Sequence, residues 1–336
     1  FVLFITSTSV ASKKDANELF AYKQTLPLKG LFVLVIFFHH FNSYTDYVAW
    51  FDQSIETSCR FLGQLMVAPF LFFSGYGIFE SLKKKGDSYI KNFPKKRILK
   101  TLIHFDIAVL IYLLYALLTG TELSLSKTLL AFIAWTSIGN SNWFIFAILY
   151  SYIITFLSVS VFKSNQKKSL ITITIFTLLY ISILFFIKRG WWFDTILAFP
   201  IGIFCSIHKE KIHSILRIKW IYACLLLVGI FIWGFSKTDT ISSIFINSQL
   251  ALVAFLLLMI LAILKLNFNG KILSWLGVNV FGVYIFQRLP MNFGKLIHLD
   301  EFNLYLYFVF CFLATLIITI LFNKIFKLLD KFLNLN

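Results

Sequence analysis

The feature that most constrains this chain is its long uncharged stretches. Between Lys127 and Lys163 lie 35 consecutive residues without a charged side chain. A helix needs about 20 predominantly apolar residues to cross a bilayer, and uncharged runs near that length recur along the chain. They are 61–79, 169–187, 220–236, 240–264 and 302–323. The sequence therefore predicts an all-α, polytopic integral membrane protein.

Composition agrees with several membrane spans. Of the 336 residues, 59% are apolar and 14% are charged, whereas about a quarter of the residues in a soluble domain are charged. The mean hydropathy is +0.83. We predict ten spans, with approximate ends. These are 27–44, 61–82, 98–119, 142–162, 168–187, 191–208, 219–236, 246–265, 273–291 and 302–326.

The distribution of basic residues predicts the orientation of these spans. Lys and Arg accumulate in short cytoplasmic loops. With the N-terminus inside, 23 of the 31 Lys and Arg fall in inner segments and seven in outer loops. Eight acids lie in or beside the outer loops: Asp46, Asp52, Glu56, Glu122, Asp194, Asp239, Asp300 and Glu301. Both termini are therefore expected to be cytoplasmic.

The net charge of +16 follows from this topology, with attraction to anionic inner-leaflet lipids as a further contribution. No nucleic-acid partner is expected.

Outside the spans the chain offers little separate organisation. The apolar run within residues 1–21 is too short for a signal peptide, so this N-terminal segment is left uninterpreted. Residues 22–330 are expected to form one membrane domain. The segment 120–141 is interpreted as an interfacial or re-entrant helix on the outer side, capped by Gly139 and Asn140.

The cysteines lack metal-ligand spacing and are expected to be packing residues: Cys59, Cys205, Cys224 and Cys311.

Ionisable residues within spans are candidates for function, because they are expensive in the bilayer and tend to face a cavity or a partner. Lys29 and His40 are eleven residues apart, three helical turns plus about 20°, so they share a helix face about 16 Å apart along the axis. His39 is rotated away from that face. In the alternative reading, Lys29 snorkels to the interface and the histidines cap the helix. The whole set is Lys29, His39, His40, Glu80, His104, Asp106 and Arg288.

The second inner loop is strongly basic, with eight Lys and Arg between Lys83 and Lys100. It is either a positive-inside signal alone or also a docking surface for a polyanion. Arg97 and Lys100 are three residues apart at a helix start and are expected to share a face. Just before the loop, the small residues of the second span predict close helix approach or a local break in the helix. They are Ser74, Gly75 and Gly77.

Five motifs occur in order along the chain. They are KGLFVLVIFFHH from Lys29 to His40, FLFFSGYG from Phe70 to Gly77, RILK from Arg97 to Lys100, NWFIFAILYSY from Asn142 to Tyr152, and GVYIFQ from Gly282 to Gln287. Together they resemble the acyltransferase-3 family of polytopic membrane O-acyltransferases. The chain departs from the family pattern with lysine in place of arginine at Lys29 and Lys100, and with Gln287 where many relatives have histidine.

This resemblance implies transfer of an acyl group, usually acetyl, from cytoplasmic acetyl-CoA to a sugar hydroxyl of a cell-surface polysaccharide or its lipid-linked precursor. His40 would be the general base, or a nucleophile that carries the acyl group briefly. Asp106 is expected to fix the His40 tautomer or, alternatively, to pair with His104 or a buried lysine as a structural bond. Donor-binding residues are expected to be Lys29, Ser74, Lys96, Arg97 and Lys100. Acceptor-binding or cavity-lining residues are expected to be His39, Tyr76, Asn142, Trp143, Tyr284, Gln287 and Arg288.

The corresponding biology is capsule or exopolysaccharide biosynthesis in a bacterial plasma membrane. The expected partners are acyl-CoA, a glycan acceptor and the lipid bilayer, with no bound cofactor and no metal. A homo-oligomer and glycan-assembly partners stay open, and no fused soluble hydrolase-like domain is expected. The alternative is a secondary transporter or flippase for a polysaccharide intermediate, since buried ionisable residues and a broken second helix would suit transport as well.

Overall fold

The computed structural model describes residues 8–10, 20–45, 62–163, 165–218, 220–234 and 241–335. Some residues that entered the predictions of topology and of cysteine packing therefore lie outside the described chain. They are Lys13, Lys14, Asp46, Asp52, Glu56, Cys59, Arg60, Lys219, Lys237 and Asp239.

Helices make up most of the described chain, which confirms the all-α prediction. In chain order they are α1 (Tyr22–Asn42), α2 (Ala68–Lys85), α3 (Asp87–Phe93), α4 (Lys100–Leu118), α5 (Leu125–Phe132), α6 (Trp143–Phe162), α7 (Gln166–Ile187), α8 (Ala198–Ile207), α9 (Lys209–Ile218), α10 (Trp220–Gly234), α11 (Ile241–Lys265), α12 (Lys271–Val278), α13 (Val280–Phe286), α14 (Arg288–Leu296), α15 (Leu299–Phe302) and α16 (Leu304–Phe332). A π-helix, Pro94–Leu99, joins α3 to α4. Two short strands, β1 (Thr8–Val10) and β2 (Leu266–Phe268), pair antiparallel.

Among the described residues, seven helices are long and apolar enough to cross a membrane, or up to nine if two bent helix pairs each count as one span. This supports a multi-pass protein. The predicted span 191–208 contains only the ten-residue helix α8. The predicted span 273–291 is interrupted at Asn279, between α12 and α13. The count of ten and the cytoplasmic placement of the termini stay predictions.

The chain divides into two compact units. The first comprises Phe1–Val33, Phe61–Asp87 and Ser158–Val278. In this unit α2 and α8 approach closely at two glycines. A Cβ on Gly75 would lie 2.2 Å from the Phe199 carbonyl oxygen, and one on Gly202 would lie 2.1 Å from the Phe72 carbonyl oxygen.

Helix α2 is unbroken through Ser74, Gly75 and Gly77. The close-approach interpretation of these small residues is therefore confirmed at Gly75. The alternative of a local break at these three residues is wrong, because α2 keeps its helical backbone there and the small residue serves helix packing.

A carboxylate near the end of α2 is held by neighbouring polar groups in the same unit. Glu80 Oε1 accepts hydrogen bonds from Lys83 Nζ at 2.8 Å and from Ser206 Oγ at 2.7 Å. Lys209 Nζ lies 3.5 Å from Oε2. These contacts link α2 to α8 and α9, so a structural role explains why this carboxylate lies within the span.

The second unit comprises Leu34–Arg60, Ser88–Leu157 and Asn279–Asn336. The end of α1 packs there against α14 and α16 through a buried cluster of Phe37, Phe41, Met291, Tyr307 and Cys311. The Tyr307 hydroxyl donates to the Met291 carbonyl at 2.8 Å. In the same unit, Tyr112 of α4 donates to the carbonyl of Ile285 at 3.0 Å. Helices α1, α4 and α16 thus fix the junction of α13 and α14.

The segment before α6 differs in detail from its prediction. An eight-residue helix, α5, is present, but it ends at Phe132. Ala134 has a φ of 59° and Gly139 a φ of 109°. Left-handed backbone of this kind is a turn conformation, so Gly139 and Asn140 lie in the loop that follows the helix. Their predicted role as its cap is wrong.

Candidate functional site

His40 lies in the last turn of α1 and its side chain is buried, with 8% of the residue exposed. The helix ends two residues later, where the Ser43 hydroxyl donates to the His40 carbonyl at 2.6 Å. The neighbouring His39 is half-buried, and the two rings are 5.8 Å apart. The helix is continuous from Tyr22, so the eleven-residue spacing from Lys29 is helical throughout.

The partner of His40 is Arg288, at the first position of α14. Its Nη2 atom lies 2.9 Å from Nδ1 of His40. Arg288 follows Gln287, which separates α13 from α14, so the short break between these helices sets the position of the guanidinium. The guanidinium also interacts with the hydroxyl of Tyr44.

This contact determines the protonation of the imidazole. A guanidinium is always charged in proteins and has only donors. Nδ1 of His40 must therefore accept the hydrogen bond with its lone pair, and the proton of the neutral ring is on Nε2. In this arrangement Nε2–H is a donor toward any group that approaches it.

Aromatic rings surround the pair. The Tyr284 ring is 6.4 Å from the His40 ring, in an edge-to-face arrangement, and the Phe144 ring is 5.5 Å from that of Tyr284. Trp143 is half-buried and packs on Phe144, with ring centroids 6.1 Å apart. These contacts bring α1, α6 and α13 together at the histidine.

Several polar atoms near this pair are buried without a hydrogen-bond partner among the described residues. The hydroxyls of Ser141 and Tyr284 lie close to one another, but neither has a partner in good hydrogen-bond geometry. The Gln287 amide donates to the Tyr284 carbonyl at 3.0 Å while its Oε1 accepts nothing, and Nε of Arg288 is likewise unpaired. An unsatisfied buried polar group costs about 1–3 kcal/mol. Such a set suits a ligand that brings its own hydroxyls.

Two other predicted site residues, Asn142 and Asp106, have different surroundings. The Asn142 amide donates to the Ala134 carbonyl at 2.9 Å and so braces the loop before α6. Asp106 of α4 has an Oδ1 atom that is buried without a hydrogen-bond partner. The expected role of Asp106 in orienting His40 stays a prediction, since the partner that the structure gives His40 is Arg288.

The predicted donor-binding residues of this unit lie at the start of the third span. Lys96 and Arg97 are exposed in the π-helix, a backbone form that is frequent at functional sites. Arg97 interacts with the side chains of Tyr89 and Tyr152. The donor-binding role of these two cations stays a prediction.

Lys100 differs from Arg97 in its surroundings. Its Nζ lies 2.6 Å from Oδ2 of Asp330, whose Oδ1 lies 2.8 Å from Nε2 of His104. The His104 ring stacks on Phe326 at 4.2 Å. This cluster joins the start of α4 to the end of α16, so the donor-binding role expected for Lys100 competes with an internal ion pair.

Three predicted residues belong to the first unit. The Lys29 ammonium lies 5.2 Å from the ring centroid of Phe73 and 6.0 Å from that of Tyr22, which are cation–π distances. Ser74 is half-buried on α2. Tyr76 is buried, and its ring lies 6.4 Å from that of Phe72.

Sequence reasoning missed Asp330, Ser141 and Tyr44. A signal for Asp330 was present, because it is the only acid after Glu301 and lies in a helix whose other charged residues are basic. Ser141 and Tyr44 had no comparable signal. A hydroxyl beside a span end is ordinary, and only the fold places these two near Tyr284 and Arg288.

The chain matches the family model of acyltransferase type 3, described as an acyltransferase domain, over residues 28–324. No curated protein and no solved structure matches the chain.

Proposed function

The chain belongs to the acyltransferase-3 family, and we propose that it moves an acetyl group from cytoplasmic acetyl-CoA to a hydroxyl of a cell-surface polysaccharide or its lipid-linked precursor. The observation that carries the proposal is the buried His40, bonded to Arg288 and surrounded by polar atoms without partners. A polyhydroxylated acceptor would satisfy those atoms. We further propose a bacterial plasma membrane as the location.

In the proposed reaction an acceptor hydroxyl attacks the thioester carbonyl carbon. The new C–O ester bond forms, the C–S bond breaks, and the hydroxyl proton moves to His40, which returns it to the departing CoA sulfur. The products are the acetyl ester and CoA thiol, and the histidine is regenerated. General-base assistance of this kind contributes about 10²–10⁴-fold to rate.

The acyl donor would approach from the basic inner loop. CoA carries several phosphate charges, and the exposed Lys96 and Arg97 supply cations for them. Lys29 on α1 is a third candidate, on the helix that also carries His40.

Transport is the less supported function. A broken second helix would have suited a transporter, but α2 is continuous through Gly75 and Gly77. The half-buried ionisable residues Glu80 and His104 are held by Lys83, Ser206 and Asp330 within their own units. A structural role therefore explains both residues without a transported substrate.

The test uses purified protein in lipid nanodiscs, radiolabelled acetyl-CoA and a panel of acceptor glycans, with His40→Ala beside the wild type. We expect acetyl transfer that the substitution nearly abolishes. Transfer that survives in His40→Ala would overturn the mechanism. Transport would be favoured if no acyl-CoA supports transfer while the same protein, reconstituted in closed lipid vesicles, moves the glycan across the membrane.

A further inference from the structure

Arg288 differs from several partly buried cations that lie beside a carboxylate. Lys100 lies beside Asp330, and Lys83 and Lys209 lie beside Glu80. Arg288 is half-buried, and among the described residues its contacts are with neutral groups, the imidazole of His40 and the hydroxyl of Tyr44. No carboxylate in the described chain pairs with it.

A guanidinium in this position is incompletely satisfied. Nη2 is engaged by His40, whereas Nε is buried without a partner. The edge of a guanidinium that carries Nε also carries a second N–H, and the two donors match the two oxygens of a carboxylate or phosphate. A buried charge without a counter-charge is unfavourable, so an arriving anion would be bound strongly there.

We propose that Arg288 binds an anionic group, a carboxylate or a phosphate, carried by one of the two reactants. The inference rests on the proposed function for its substrate, because the anion must be part of the acceptor or of the acyl group being transferred. It adds a charge requirement that neither the motifs nor the family match supplies.

Binding of the anion also changes His40. While Arg288 donates to Nδ1, that nitrogen cannot accept a proton, and Nε2 already carries one. When the guanidinium turns to an anionic ligand, Nδ1 becomes free to take the proton of the attacking hydroxyl, forming the imidazolium. The imidazolium then gives a proton to the CoA sulfur as the C–S bond breaks. Arg288 is thus a positioning residue that makes the base more available when a charged reactant is bound.

The first experiment varies the charge of each reactant in nanodiscs. Acetyl-CoA is offered with a glucose oligosaccharide, with the matched oligosaccharide containing glucuronate, and with a phosphorylated one. An acyl-CoA whose chain ends in a carboxylate is offered with the neutral oligosaccharide. We expect kcat/KM to be about ten- to a hundred-fold higher for one of the anionic combinations than for the neutral pair, as for charge-assisted hydrogen bonds. The combination that benefits identifies which reactant carries the anion.

The variants are Arg288→Gln and Arg288→Lys, with Arg189→Gln as the control, since Arg189 is exposed beside Trp191. Arg288→Gln should remove the preference for the anionic reactant, so that kcat/KM for the charged and the neutral reactants lie within about threefold of each other. Arg288→Lys should keep part of the preference, because a lysine retains the charge but lacks the paired donors. Equal activity on charged and neutral reactants in the wild type, lowered equally by Arg288→Gln, would show that Arg288 only holds the ring.

A second readout does not depend on turnover. In ¹⁵N-histidine-labelled protein, the His40 signals should report the Nε2–H tautomer in the wild type and a mixture of tautomers in Arg288→Gln. Adding the acidic saccharide or the carboxyl-terminated acyl-CoA alone should move the wild-type signals, whereas the neutral saccharide should not. This result would support the anion site even if no acyl transfer were found, so the two proposals fail separately.

An internal counter-ion is the competing outcome. Asp46, Asp52 and Glu56 lie outside the described residues. If the wild type shows no preference for an anionic reactant but the triple variant Asp46→Asn, Asp52→Asn, Glu56→Gln acquires one, the counter-charge belongs to the chain and the proposal is overturned.

Discussion

Lys100 Nζ lies 2.6 Å from Oδ2 of Asp330, which connects the start of α4 with the last turns of α16. The carboxylate also accepts a hydrogen bond from His104, and Asp330 is only 5% exposed. Asp330 thus contacts two basic side chains, Lys100 and His104, that lie near the same end of α4. Removing it would leave both without their common partner.

Asp330→Asn is therefore expected to destabilise the protein by about 2–3 kcal/mol. Breaking a buried ion pair from one side costs about 3–5 kcal/mol, and the partial exposure of Lys100 reduces that figure. The melting temperature in detergent micelles measures the effect. Glu301→Gln is the control, since its pair with His298 is exposed and is expected to contribute little. A variant as stable as the wild type would contradict the structural role of Asp330.

The ion pair between Lys100 and Asp330 also allows a test of whether Lys100 is a structural or a donor-binding residue. If Lys100 is a structural residue, the losses in Lys100→Gln and Asp330→Asn should be strongly non-additive in a double-mutant cycle, and KM for acetyl-CoA should not change in Lys100→Gln. If Lys100 binds the donor, as the motif order implies, that KM should rise several-fold. Stability and KM are measured on the same preparations.

The two adjacent histidines should differ in effect. His40→Gln is expected to lower kcat by about 10²–10⁴-fold, because it removes the proton acceptor while keeping a side chain that can accept a hydrogen bond from Arg288. His39→Gln should lower kcat by less than about tenfold. Initial rates of acetyl transfer are compared for variants with wild-type melting temperatures. Equal losses in both would mean that the shared helix face of Lys29 and His40 does not define the catalytic residue.

Helix phase and charge distribution were most informative for features that depend on a single helix or a single loop. The eleven-residue spacing placed His40, not His39, on the face of Lys29, and His40 is the histidine that contacts Arg288. The contact itself could not be predicted, since the two residues are 248 positions apart in the chain. For the same reason Asp106 was chosen as the partner of His40 from its depth in the membrane alone.

The sequence was also ambiguous wherever a residue type fits two structures. Gly75 suits a helix break as well as a close crossing, and only the position of Phe199 against it shows the crossing. Gly139 suits a helix cap as well as a loop, and α5 ends at Phe132, seven residues before Gly139. The sequence predicts donor binding for Lys100 because nothing in its own segment marks Asp330 as its partner.

The donor-binding surface makes a kinetic prediction. Lys96→Gln and Arg97→Gln should each raise KM for acetyl-CoA by about five- to thirty-fold with little change in kcat, since each removes a charge-assisted contact to phosphate in an exposed position. Acetyl-dephospho-CoA should be less sensitive to whichever variant lacks the contact to the 3′-phosphate. Lys127→Gln, an exposed residue on α5, is the control. Unchanged KM values in both variants would place the donor elsewhere.

The predicted orientation of the spans is open to direct labelling. In a chain whose cysteines are replaced by serine, Lys127→Cys should react with a membrane-impermeant maleimide in intact cells, and Lys163→Cys only after lysis. These residues flank the 35-residue uncharged stretch and are both exposed, so burial does not confuse the comparison. The opposite pattern would contradict cytoplasmic termini, and reaction of both in intact cells would contradict a span at α6.

Two glycines of α2 give a matched test of the helix crossing. A Cβ on Gly75 would lie 2.2 Å from the Phe199 carbonyl oxygen, whereas a Cβ on Gly77 would meet nothing within 4 Å. Gly75→Ala must therefore push α8 away from α2, at about 1–3 kcal/mol for overpacking. Gly77→Ala should be neutral or stabilising by up to about 1 kcal/mol through helix propensity. Melting temperatures in the same detergent compare the two, and Gly202→Ala, whose Cβ would meet the Phe72 carbonyl, should behave like Gly75→Ala. Equal stability of Gly75→Ala and Gly77→Ala would show that the glycine contact does not set the spacing of α2 and α8.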